Sequence, residues 1–86
     1  MPEVCRFFGI VIRMYFDEHN PPHFHAIYGE REAQFGIDPI VVLAGNLSIR
    51  ATSLVIEWAA LHQRELLINW NRLRTNQQIE KIQPLD

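Results

Sequence analysis

Ile10-Val11-Ile12-Arg13-Met14-Tyr15-Phe16 and His23-Phe24-His25-Ala26-Ile27-Tyr28, separated by Asp17-Glu18-His19-Asn20-Pro21-Pro22, decide how this chain folds. Both runs are rich in β-branched and aromatic residues, and both alternate. In the first, Ile10, Ile12, Met14 and Phe16 form an apolar set, while Arg13 and Tyr15 fall on the other side. In the second, Phe24, Ala26 and Tyr28 form the matching apolar set and His23 and His25 the other. Asparagine and the paired prolines punctuate the stretch between them as a loop.

The pattern spreads outward in both directions. The first run extends back to Phe7 and reads as one strand over 7–16, kinked or bulged at Gly9. After Tyr28, residues 29–32 read as a turn and Ala33–Ile37 as a third strand. Asp38-Pro39 breaks that strand, Ile40–Leu43 reads as a short fourth strand or an edge, and Gly45-Asn46 turns the chain again. From Ser48 the apolar period becomes helical. Ser48 suits an N-cap, and Leu47, Ala51, Leu54, Trp58 and Leu61 share a stripe. Near His62 the stripe jumps phase before Leu66, Trp70 and Leu73, so two helices are expected rather than one. Ile79 and Ile82 are expected to pin the tail to the body. The fold class expected is α+β: a three- to four-stranded antiparallel sheet of two hairpins, followed by two C-terminal helices on one face, in a single domain.

Antiparallel pairing must join apolar set to apolar set, which requires an even register. The simplest choice pairs Phe16 with Phe24, Met14 with Ala26 and Ile12 with Tyr28. A two-residue turn at Glu30-Arg31 then pairs Tyr28 with Ala33 and Phe24 with Ile37. With the helices on the apolar face, the uncovered face is expected to collect Arg13, Tyr15, Asp17, His23 and His25. Histidines two apart on a strand project to the same side, about 6–7 Å apart at the backbone.

Two chemistries fit that cluster. An imidazole beside a carboxylate and an imidazole beside a phenol are ingredients of acid–base catalysis, with His23, His25, Tyr15 and Arg13 as the catalytic candidates. His23 and His25, with His19 or Asp17 from the loop, equally suit zinc or another first-row divalent ion. Such binding needs neutral imidazoles and is expected to weaken as pH falls through ~6.5. The plain rival is that the histidines are solvated strand residues or cap loop carbonyls. Likewise, His62 reads as a cap or surface residue and Trp58 and Trp70 as core. A spacing of His-x3-His-x-His is not a standard zinc signature, so the sequence leaves enzyme and non-enzyme both open.

Composition narrows the classes. Of 86 residues, 48% are hydrophobic and 21% charged, which excludes a disordered chain. A chain this short buries only about 60% of its unfolded surface, so a dimer, a partner or a metal would add needed stability. The longest purely apolar run, Ile40–Ala44, is too short for a membrane span, and Met1–Arg6 shows no signal pattern, so a cytoplasmic location is expected. With one cysteine there is no internal disulfide, and Cys5 reads as a small buried residue near a strand start. The net charge of −2 argues against a general nucleic-acid binder. Arg72 and Arg74 read as a basic patch or, more plainly, as cations suited to a helix C-terminus.

Arg6-Phe7-Phe8-Gly9-Ile10, Met14-Tyr15, His19-Asn20-Pro21-Pro22-His23-Phe24-His25-Ala26 and Tyr28-Gly29 together resemble a family of short bacterial proteins of unknown function. Glu57-Trp58, Leu66-Leu67 and Trp70 resemble its C-terminal helical part, so the likeness covers nearly the whole chain. The family's acidic residue before the first histidine corresponds to Glu18 here. Its members look like the toxin half of a DhiT-type toxin–antitoxin pair. The resemblance therefore implies a bacterial cytosolic toxin with a small antitoxin-like protein partner, acting on a cellular target such as RNA. It carries over no catalytic residues. The alternative is a non-enzymatic interaction module whose polar face is covered by that partner or by a second copy in a homodimer.

Overall fold

The computed structural model describes residues 3–16 and 18–86. Among these, five antiparallel strands form one sheet in the order β1 (Glu3–Phe7), β2 (Ile10–Arg13), β3 (His23–Tyr28), β4 (Arg31–Gly36) and β5 (Val42–Gly45). Helices α1 (Ile49–Leu61) and α2 (Gln63–Arg74) follow. The fold is α+β with two C-terminal helices, as expected, and has one strand more than the longest sequence reading.

The extra strand comes from Phe8-Gly9. Instead of a bulge, these residues form a two-residue hairpin turn between Phe7 and Ile10, with positive φ at both Phe8 (49°) and Gly9 (80°). Such turns match the twist of the flanking strands, and glycine adopts positive φ without strain. The aromatic run around the turn disguises it in sequence.

Both expected registers are off by two residues. Ile10 pairs with Tyr28 and Ile12 with Ala26. In the next hairpin Phe24 pairs with Phe35 and Tyr28 with Arg31, across a Gly29-Glu30 turn. An even displacement leaves every side chain on its expected face, because the side-chain period is two. The consequence falls on the strand ends. β2 stops at Arg13, leaving Phe16 outside the ladder and exposed, and Tyr28 is exposed too.

The apolar face packs as expected. Trp58 lies fully buried between Phe7 and Phe24, at ring-centroid distances of 5.4 and 5.8 Å. Phe24 stacks on Phe35 at 5.4 Å. Aromatic contacts like these add about 0.5–1.5 kcal/mol each beyond their burial. Ser48 caps α1, its Oγ accepting from the Ala51 N–H at 3.1 Å. The inner stripe of α1 is Ala51, Val55, Trp58 and Ala59; Leu61, expected in it, is exposed at the helix end. His62, at φ −124°, separates the two helices, and its Nδ1 lies 2.6 Å from Glu65 Oε1.

The tail is tied down by polar groups. Asn69, buried in α2, donates to the Glu80 carbonyl and accepts from the Glu80 N–H, both at 2.9 Å. Trp58 Nε1 donates to the Gln83 carbonyl at 2.8 Å. The Ile82 N–H donates to the Val4 carbonyl at 3.1 Å, which ties the tail to β1. Among the described residues, no helix is long and apolar enough to cross a membrane.

Candidate metal centre

The polar face is not open, contrary to the sequence expectation. His23 and His25 are each only 7% exposed. Trp70, buried in the core as expected, also packs on this face, its ring 5.3 Å from that of His23. Tyr15 closes the other flank, edge-on to His25 at 4.6 Å. Arg13 pairs directly with His25 across β2 and β3, and its Nε is buried without a hydrogen-bond partner among the described residues.

Both imidazoles are engaged at Nδ1, and His25 at Nε2 as well. His23 Nδ1 lies 2.8 Å from the Pro21 carbonyl oxygen, which can only accept, so Nδ1 is the donor and Nε2 points away from it. This bond ties the end of the loop to the first residue of β3. His25 Nδ1 lies 2.7 Å from Glu32 Oε2. Glu32 pairs with Ile27 and is therefore the diagonal neighbour of His25 on β4, within side-chain reach. The two Nε2 atoms then face Glu18 Oε1, from His25 at 2.6 Å and from His23 at 3.6 Å.

Glu18, His23 and His25 thus offer ligand atoms all within 4.8 Å of one another. Metal-bound histidines usually donate their second N–H to a carboxylate or a backbone carbonyl, and here one histidine has each. Bonds of about 2.05 Å to a tetrahedral ion place ligand atoms about 3.4 Å apart. The His23–Glu18 pair already has that spacing, whereas Glu18 must withdraw from His25 by somewhat under 1 Å. Three protein ligands would leave at least one coordination position for water or substrate. His25 meets a carboxylate at each nitrogen, Glu32 at 2.7 Å and Glu18 at 2.6 Å.

Of the sequence-derived candidates, His23, His25, Tyr15 and Arg13 share one neighbourhood. His19 is exposed and stands outside the converging group, and Glu18 is the loop residue that reaches the histidines. Asp17 lies outside the described residues. Glu32 escaped the sequence reading because the two-residue register error placed it in a turn. With Gly29-Glu30 as the turn, Gln34 stands opposite His25 and Glu32 becomes its diagonal neighbour.

Residues 9–71 match the family model described as "Domain of unknown function (DUF4160)". The chain belongs to the DUF4160 family. The matched segment of this DUF4160 chain includes Glu18, His23, His25 and Glu32. Neither curated proteins nor solved structures furnish a match to it.

Proposed function

We propose that this DUF4160 protein is a divalent-metal protein, with zinc or a similar first-row ion held by Glu18, His23 and His25, and that it acts as the toxin of a bacterial toxin–antitoxin pair. One observation carries the metal reading: both Nδ1 atoms are engaged by acceptors, so both Nε2 atoms aim at one carboxylate oxygen. The toxin reading is supported by the likeness of Arg6–Ile10 and His19–Ala26 to that family of proteins. Tyr15 and Arg13 are the groups beside the centre that would act on a bound target.

The test has two parts. Untagged protein is analysed for metal and titrated with zinc, beside Glu18→Gln and a His23→Ala/His25→Ala double variant. One equivalent in the wild type, lost in the variants, is expected; sub-stoichiometric metal and a melting temperature unmoved by zinc or chelator would refute the centre. Induction of wild type and double variant in a host at equal expression tests toxicity. Equal growth removes the site from that role.

Partner binding is favoured by the bare edge of the sheet. The tail bonds to β1 at Val4, whereas at the other end of the sheet β5 carries Val42 and Leu43, with Val41 just before it, all more than 40% exposed. An exposed apolar edge strand is a template for pairing with another chain, and the small antitoxin-like protein is the partner we assign to it. Light scattering with the neighbouring gene product checks this. A strict monomer that ignores that product counts against it, and a dimer of this chain alone would assign the edge to self-association.

A further inference from the structure

Beside Glu18 lies a cleft of about 320 Å³, walled by Tyr15, Trp70, Leu73, Arg74 and Asn76. Glu18 is itself part of the lining, so the cleft borders the converging ligand atoms, and Tyr15, Arg74 and Asn76 bring donor groups to it. Arg74, in the last turn of α2, stands with its guanidinium carbon 5.9 Å from the centre of the Trp70 ring. That is the ring packed on His23, so the arginine is positioned by a residue of the metal centre's own wall. Its neighbour Arg72 is paired with Glu80 at 3.1 Å, whereas Arg74 has no carboxylate partner among the described residues.

The geometry points to an oxyanion subsite: the cleft takes the phosphate group of a ligand, with one oxygen on the metal and another on Arg74. This rests on the metal reading above. A divalent ion would balance Glu18 and Glu32, leaving Arg13 and Arg74 to make the surroundings positive. The arginine fork matches two phosphate oxygens at once, and its stacking on an aromatic ring reduces the freedom lost on binding. The Tyr15 hydroxyl and the Asn76 amide supply neutral donors for the remaining oxygens. Free phosphate and a phosphate ester share this chemistry, and the probes below separate them.

Cobalt loaded into the full-length chain in place of zinc gives a visible spectrum sensitive to its fourth ligand. The chain is titrated with inorganic phosphate, with adenosine monophosphate and with a uridine dinucleotide. A saturable spectral change with at least one probe is expected. Arg74→Gln should leave cobalt binding within about twofold and weaken that probe at least about tenfold, as expected for losing a charge-assisted hydrogen bond. Arg74→Lys should recover part of the loss. Response to inorganic phosphate alone assigns the subsite to the free ion, and response to either nucleotide assigns it to an ester. If cobalt binds at one equivalent but no probe changes the spectrum, or Arg74→Gln binds as the wild type does, the subsite is overturned and the metal centre stands. Failure to bind cobalt or zinc overturns both.

Discussion

Removing the Glu32 carboxylate tests whether the metal centre is built or accidental. Glu32 touches none of the converging ligand atoms; its carboxylate lies 2.7 Å from His25 Nδ1 and so holds the ring plane. Its side chain is half exposed, so truncation leaves no buried cavity and little folding cost. The effect should fall on affinity for the ion. Loss of such an outer hydrogen bond typically weakens metal binding 10–100-fold, or about 1.4–2.7 kcal/mol. Glu32→Ala should sit near the upper end, because it leaves Nδ1 to solvent. Glu32→Gln, whose amide oxygen still accepts, should sit near the lower end. Zinc affinity is measured by competition with a chromophoric chelator, with urea melts to confirm equal folding. If Glu32→Ala binds zinc as tightly as wild type while Glu18→Ala does not bind it, the reasoning from the held Nδ1 is wrong.

Other outcomes follow from the scaffold. At Gly45, with φ 71°, an added Cβ would stand 2.3 Å from the Glu32 carbonyl oxygen, so Gly45→Ala should cost at least about 2 kcal/mol in a urea melt. An unchanged midpoint would contradict the β4–β5 pairing. Asn69→Ala should cost about 2–3 kcal/mol, since it strips both bonds to Glu80, and amide exchange should accelerate over residues 80–83. Tail amides as protected as before would show that the asparagine does not anchor it. Burial pushes the Cys5 thiol above its ordinary range, so the folded state disfavours the thiolate. A disulfide reagent should label it slowly at neutral pH and fully on unfolding, and stability should decline as pH rises past the free-thiol value of 9.0. Instant labelling of folded protein would refute the buried placement.

Much of the fold is legible from local pattern. The two-residue alternation assigns each side chain a face, and those assignments survive both register errors because both errors are even. The helical period after Ser48, and its phase jump at His62, mark both helices and their break. These are properties of neighbours in the chain, set by backbone geometry that any short window carries. Phe8-Gly9 marks where that logic fails: an aromatic run with high strand propensity conceals a turn that depends on one glycine.

The site is another matter. That His23 and His25 share a face follows from their spacing alone. Their burial does not, because it depends on a tryptophan forty-seven residues after His23 swinging its ring against the sheet. Nor does the choice of Glu18 over its loop neighbours, since spacing alone does not say which residue of a proline-rich loop reaches the histidines. Glu32 joins only through the β3–β4 register, which the hairpin turn selects. Periodicity is written in adjacent residues, but convergence of ligand atoms to within 4.8 Å comes from contacts between elements far apart in the chain. Those contacts are chosen by packing, because only the assembled core decides which side of the sheet each helix leans over.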